Sequence, residues 1–443
     1  MRIAYITAGA AGRYCGNCLQ DNVLALALRE LGEDILLLPT YTPIRTDIVD
    51  ASEKRLFFNG IRVYLEQRYQ FFRRPRPILD RFLGSRALIG GVTQFFSSTD
   101  PAGLGDITLS MLEGEEGRQQ KELEELVDWL QRDGRPDIVH LSNVLLVGMA
   151  RRLKEALKVP VICGLQAEDS FLDLLPGDYR NAALERIAAR GSEVDEFVSV
   201  SEYYADHAAK MFGLSRDRIT VVLPGVYLAG HGPVEYRREP ELTIGYLARI
   251  APEKGIHLLC DAFARLAVEE RFSGLRLKVA GFLAGEQVAF ASRLRKRLTV
   301  EGLGSRVEFI GTVGRAEKLA FLQGIDVLAV PTVYPDPKGL FVLEALASGV
   351  PVVSPRHGVF PELLDATGGG VLCEPDDVDS LTGVLREVLL DRELRVQLGT
   401  AGRETVLERF GAERMARETL AVYRAAVEQC AGANSLCGES DDR

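Results

Sequence analysis

Residues 331–353 read PTVYPDPKGLFVLEALASGVPVV. Asp336 and Glu344 stand eight positions apart in this stretch. Pro335 and Pro337 bracket the aspartate and keep it out of any helix, because proline fixes φ and lacks an N–H. Gly339 permits close approach of a ligand to the backbone. Leu340, Leu343, Leu346 and Ala347 then give a short apolar helix, with Glu344 on its second turn. The strand-like VPVVSP follows at once. One acid therefore lies just before a helix N-terminus and a second lies inside that helix. Free backbone N–H groups at such an end suit a phosphate, and nearby carboxylates suit sugar hydroxyls.

The pattern around it is that of two parallel sheets. In the first half, short apolar runs (RIAYITAG, DILLLPT, RVYLE, DIVHLS, VPVICGL, EFVSVS, ITVVLPG) alternate with helix-like stretches such as CLQDNVLALALRELG. Continuous apolar strands between helices are the mark of a parallel sheet covered on both faces. LAGHGPVEYRRE, Leu228 to Glu239, is rich in Gly, Pro and charge and reads as a linker. The pattern restarts with LTIGYLA, RLKVAG, VEFIG, DVLAVPT, VPVVSP and GGVLCEP. The expected fold class is α/β, with two doubly wound Rossmann-like domains facing a cleft at their strand C-terminal ends. The expected boundaries are 1–229, 230–410, a C-terminal helix over 411–430 that could cross back to the first domain, and a disordered tail over 431–443.

Composition narrows the function classes. Of 443 residues, 47% are hydrophobic and 26% charged, as in an ordinary globular protein. The net charge of −10 argues against general nucleic-acid binding. No apolar run approaches the ~18 residues of a membrane helix. The N-terminal MRIAYITAG enters a strand pattern directly, without the regions of a signal peptide, so a cytoplasmic protein is expected. Seven cysteines, odd in number and scattered, do not form a disulfide framework.

The 331–353 stretch resembles the Glu-x7-Glu element of the retaining nucleotide-sugar glycosyltransferases, family 4 and its relatives, which have the GT-B fold. The match to LEALASGVPVV is close. Asp336 stands where that family usually has Glu, and Pro337-Lys338 where it often has Gly-Phe. A second resemblance lies in GYLARIAPEKG, where Arg249 and Lys254 reproduce the spacing of the family's Arg-x4-Lys diphosphate pair. Cations there would also stabilise charge growing on a leaving phosphate. In the first domain, Gly16 falls where the family has the second glycine of a Gly-Gly loop, and Cys15 replaces the first. The second domain matches throughout and the first only loosely.

The resemblance implies a donor site. Arg249 and Lys254 would bind a diphosphate, Gly16 and Gly339 would present N–H groups to it, and Leu340 would lie beside them. Glu344 would hold the nucleotide ribose and Asp336 the donor sugar. These four charged residues are the candidate catalytic set. His140 and Gln166 are acceptor-side candidates, although the family often has histidines where this chain has Ser142 and Gln166. Tyr227 likewise stands where Asp is common. The implied reaction is metal-independent transfer of a hexose-type sugar to an unidentified glycan, lipid or small-molecule acceptor, with no cofactor beyond the nucleotide sugar.

Other readings stay open at this point. A glucan synthase of a related branch would share the fold, but its Lys-x-Gly-Gly loop is missing. A nucleotide-sugar epimerase normally lacks the acidic element. A dehydrogenase would need an acid after strand two, where LLLPTY has none. A non-catalytic sugar-binding relative is a further class. Cys15-Gly-Asn-Cys18 at a helix start has the form of a thiol-redox motif. Residues 62–86 hold seven arginines among aromatics, and could be an exposed insertion, steer an anionic acceptor or touch a membrane surface. Asp377-Val-Asp379 looks like a metal motif but is expected to cap a helix, and Ser201 likewise.

Overall fold

The computed structural model describes residues 1–9, 15–53, 101–236 and 242–438. The RVYLE strand and the arginine-rich 62–86 stretch lie outside the described residues, as do 10–14 of the glycine loop, 237–241 and 439–443. The chain forms two compact units, one of Met1–Gly225 with Ala412–Arg443 and one of Val226–Gly411.

The first unit is built on six parallel strands, β1 (Arg2–Thr7), β2 (Asp34–Pro39), β3 (Ile138–Leu141), β4 (Val161–Leu165), β5 (Glu196–Ser199) and β6 (Ile219–Val221), in the order β2-β1-β3-β4-β5-β6. Strand alternation divides its residues cleanly. Ile3, Tyr5, Ile35, Leu37, Ile138 and Ile162 share one core with helices Gly16–Glu30 and Ala412–Gly438. Ala4, Ile6, Leu38, Val139, Leu141 and Cys163 point to the opposite core. Both faces are apolar because both are covered, which is why the sequence shows runs instead of alternation. The last helix continues through Gly438, so residues 431–438, read from composition as tail, are helical.

The second unit repeats the plan with β7 (Thr243–Leu247), β8 (Arg276–Ala280), β9 (Val307–Gly311), β10 (Val327–Ala329), β11 (Val352–Pro355) and β12 (Gly370–Cys373) in the order β12-β11-β10-β7-β8-β9. All its strand pairs are parallel. The described part of the Leu228–Glu239 stretch is fastened to this unit. His231 Nδ1 lies 2.8 Å from Ser348 Oγ, Val234 N–H donates to Ser348 O, and the Tyr236 hydroxyl donates to Gly349 O. Arg315 donates to the carbonyls of Tyr227 and Ala229.

Each sheet has one place where successive connections leave in opposite directions. In the first unit it falls between β1 and β3, and in the second between β7 and β10. Crevices outside the strand C-termini at such points are where α/β sheets bind ligands.

Candidate functional site

The loops after β7 and β10 are pressed together. Between β7 and helix Ile256–Ala267 runs a short turn, Pro252–Lys254, ending at Gly255 with φ 70°. A β-carbon on Gly255 would collide with the Pro331 carbonyl oxygen, so only glycine allows this contact. Val333 N–H then donates to Glu253 O at 2.9 Å, which ties the segment after β10 to the loop after β7. This apposition brings Lys254 to Asp336.

The Lys254 ammonium donates to Asp336 Oδ2 at 2.7 Å and to the Tyr334 hydroxyl at 2.8 Å, and lies 4.6 Å from the Tyr334 ring centroid. The Tyr334 hydroxyl also donates to Asp336 Oδ2 at 3.1 Å, and the N–H groups of Lys338 and Gly339 donate to Oδ1 at 3.0 Å each. Lys254 and Asp336 are 8% and 7% exposed. Burial by itself opposes both charges. For Asp336 the Lys254 charge and hydrogen bonds outweigh it and hold the carboxyl well below the usual carboxylate range. For Lys254 the Asp336 charge outweighs burial and raises the ammonium above its ordinary value. Burial, then the Asp336 charge, pushes the Tyr334 hydroxyl up to about 12.

The hydrogen bonds of the turn bear on two expectations. Gly339 was expected to offer its N–H to a phosphate, but that N–H donates to Asp336. Its φ of 61° and the Leu363 Cδ1 atom, 2.6 Å from where a β-carbon would stand, show that the turn itself needs glycine. The next N–H groups, of Leu340 and Phe341, open helix Leu340–Ala347 and have no intrahelical acceptor. Asp336 was expected to hold sugar hydroxyls, yet its four accepted bonds occupy the roughly four lone-pair sites of a carboxylate. In this arrangement it positions Lys254 and starts the helix.

Glu344 lies on the same helix but pairs elsewhere. Lys318, on helix Arg315–Gln323, reaches Glu344 Oε1 at 2.5 Å. Arg249 is about half exposed and bonds Glu253, 3.0 Å away, within its own loop. Tyr334 and Lys318 were not singled out in the sequence. Tyr334 lies two positions before Asp336 in the irregular segment after β10, and only the folded turn brings its hydroxyl onto that carboxylate. No sequence signal marks Lys318, because its partner is on a different helix.

In the first unit, Gly16 is exposed at the first position of helix Gly16–Glu30, with Cys15 as its N-cap. Cys15 and Cys18 are not joined in a disulfide. His140 does not reach an open edge. It lies on the face covered by helix Ala412–Gly438, its Nδ1 2.6 Å from the Tyr423 hydroxyl and its ring 4.5 Å from that of Tyr5. Burial pushes it down to about 3, so it is neutral. Gln166 is buried and donates to Asp21 Oδ1 at 3.0 Å and to Ser142 O at 2.7 Å. Asp21, which the sequence reading passed over, also accepts from the hydroxyls of Tyr5 and Thr7 at 2.8 Å each. Asp377 caps helix Val378–Leu390, and Ser201 caps helix Glu202–Phe212, as expected. Among the described residues no group of His, Cys, Asp or Glu has the arrangement of a metal site, and no helix is long and apolar enough to cross a membrane.

Residues 233–405 match the family model Glycosyl transferases group 1, and 112–229 match Glycosyltransferase Family 4. Glycogen synthase of Mycobacterium tuberculosis is 29% identical over 301 residues, covering 67% of this chain and 70% of that protein. The MMP alpha-(1->4)-mannosyltransferase of Mycolicibacterium hassiacum is 31% identical over 241 residues, 54% of this chain and 56% of its own. The sucrose-phosphate synthase structure from Thermosynechococcus elongatus superposes with a TM-score of 0.68 at 17% identity, covering 96% and 99% of the two chains. Anabaena HepE in complex with UDP gives 0.66 at 15%, covering 96% and 100%. The two family segments lie in succession on two Rossmann-like sheets, and the chain is a glycosyltransferase of the GT-B fold.

Proposed function

We propose that the chain moves a hexose from a nucleotide-diphosphate sugar to an acceptor hydroxyl, with retention at the anomeric carbon and without a metal ion. The observation that supports it is Lys254, bonded to Asp336, beside the N-terminus of helix Leu340–Ala347 at the β7/β10 switch point, with Arg249 on the same β7 loop as Lys254. Among the described residues, Lys254 uses two of its three N–H groups, on Asp336 and Tyr334. The third is free to meet a phosphate oxygen. Arg249 can turn from Glu253 to a second one, and the N–H groups of Leu340 and Phe341 supply fixed dipoles. Together these donors offset the diphosphate charge and favour its increase as the sugar leaves. The UDP and UDP-glucose complexes of Anabaena HepE support this class of donor.

In the proposed reaction the bond from the anomeric carbon to the β-phosphate oxygen breaks. The acceptor oxygen bonds the same face of that carbon, and its proton passes to the departing phosphate. No protein nucleophile is required. Glu344 holds the ribose. Asp336 contacts the sugar by exchanging the Tyr334 hydroxyl, at 3.1 Å the longest of its four bonds, for a sugar hydroxyl.

A thermal-melting screen with UDP-, GDP- and ADP-sugars tests the donor class. A ligand at 100 times its Kd adds about 2.7 kcal/mol. Product analysis by NMR then reads the anomeric configuration. Failure of every donor to stabilise the chain or give product would overturn the proposal, and an inverted product would overturn retention. The glycogen synthase relative favours a second reading, extension of a glucan chain. Glucan oligosaccharides therefore belong among the acceptors tried.

A further inference from the structure

Each acid of the 331–353 stretch has its own largely buried lysine. Asp336 has Lys254 and Glu344 has Lys318. Lys318 lies with Phe321 and Leu322 on the inward side of helix Arg315–Gln323, where an apolar side chain would meet no desolvation cost. Its side chain and that of Glu344 are 9% and 19% exposed. Among the described residues, Glu344 accepts only this one hydrogen bond, at Oε1. The lysine therefore fixes one carboxylate oxygen and leaves Oε2 open.

We propose that Lys318 is a positioning residue for the nucleotide ribose, acting through Glu344. The inference rests on the donor reading above and adds what holds the ribose contact in place. Two physical reasons carry it. Glu344 lies four residues beyond Leu340, about 6 Å along the helix axis. A diphosphate at the helix N-terminus would place its ribose at a similar remove. An unpaired carboxylate at that distance would repel the diphosphate; the Lys318 charge cancels this repulsion while Oε2 still accepts from a ribose hydroxyl. The pair thus converts an unfavourable charge into an oriented acceptor.

The test compares UDP, GDP and ADP with their 2′,3′-dideoxy counterparts by calorimetry, for the wild-type chain, Lys318→Met, Lys318→Arg and Glu344→Gln. Hydrogen bonds to a charged group imply that the wild type prefers the ribose form by about 10- to 100-fold. Lys318→Met and Glu344→Gln should both shrink that ratio to within about threefold, and Lys318→Arg should keep most of it. A merely structural lysine would lower the melting temperature and weaken both nucleotide forms alike, leaving the ratio unchanged. Should Lys318→Met not fold, Lys318→Gln carries the same comparison. A wild-type preference that the Lys318 variants preserve in full overturns this inference alone. Failure of the wild type to bind any of the nucleoside diphosphates overturns the donor reading and this inference with it.

Discussion

The Lys254 ammonium and the Asp336 carboxylate lie 2.7 Å apart although 82 residues separate them in the chain. They meet because β7 and β10 are neighbours in the sheet while two further strands, β8 and β9, intervene in sequence. The crossover brings the end of the first strand beside the end of the fourth. It also explains why a cation five positions after Arg249 and an acid before a helix form one unit.

Replacing Lys254 by Met should act on both stability and chemistry. It leaves a buried carboxylate without its cation, and breaking such a pair costs about 3–5 kcal/mol. It also removes the ammonium proposed to meet the diphosphate, and on that proposal kcat should fall by about 10²–10³-fold. Urea unfolding and initial rates read the two effects separately. A variant with normal stability would mean that the pair does not hold the loops together.

Arg249→Ala should show the opposite balance. Its side chain is about half exposed and its ion pair with Glu253 lies within one loop. Such pairs contribute about 0–1 kcal/mol. Unfolding should therefore be nearly unchanged, while sugar transfer falls by about two orders of magnitude if the guanidinium meets the diphosphate. Normal turnover with a saturating donor would remove Arg249 from the site.

Acid titration isolates the Asp336 contribution. Its carboxyl is held below the ordinary range by Lys254 and by hydrogen bonds, against the opposing effect of burial. The stabilisation is thus complete above the unfolded value of about 3.9 and fades as pH falls below it toward the depressed folded value. Lys254 is raised, so its share is complete below its unfolded value of about 10.4 and fades as pH rises through the folded value. The difference in unfolding free energy between wild type and Asp336→Asn should be level from about pH 5 to 9 and shrink below about pH 4. A difference that grows on acidification would contradict the assigned charge states.

Much of this was legible in the chain. Short apolar runs bounded by helical patterns mark all twelve strands of the two sheets, and the signal is most continuous for central strands such as β3, β4, β7 and β10, which are buried on both faces. Asp336 and Glu344 stand out by their place around Pro335, Pro337 and the apolar helix, whereas Arg249 and Lys254 stand out only through the resemblance to the Arg-x4-Lys pair. What the sequence hides is partnership. Nothing local says that Asp336 will be filled by Tyr334, Lys254 and two backbone N–H groups, or that Glu344 will meet Lys318 from another helix. His140 shows the same limit. Its strand was readable, but the face it occupies depends on helix Ala412–Gly438, nearly 300 residues away, whose Tyr423 covers it.

Gly255 gives the sharpest check on how the two loops are joined. At φ 70° an alanine is already strained, and its β-carbon would also meet the Pro331 carbonyl oxygen, a backbone atom that cannot rotate away. Relief requires separating the turn 252–254 from the segment after β10. That would stretch the hydrogen bond from Val333 to Glu253 and pull Lys254 from Asp336. Gly255→Ala should therefore cost more than the about 1 kcal/mol typical of point substitutions, on the order of 3 kcal/mol. It should also lower transfer although no side chain of the site has been removed. The control is Gly285→Ala, where a β-carbon meets nothing within 4 Å; it should leave both stability and rate near wild type. Equal behaviour of the two variants in urea unfolding would show that the β7 and β10 loops do not depend on this contact.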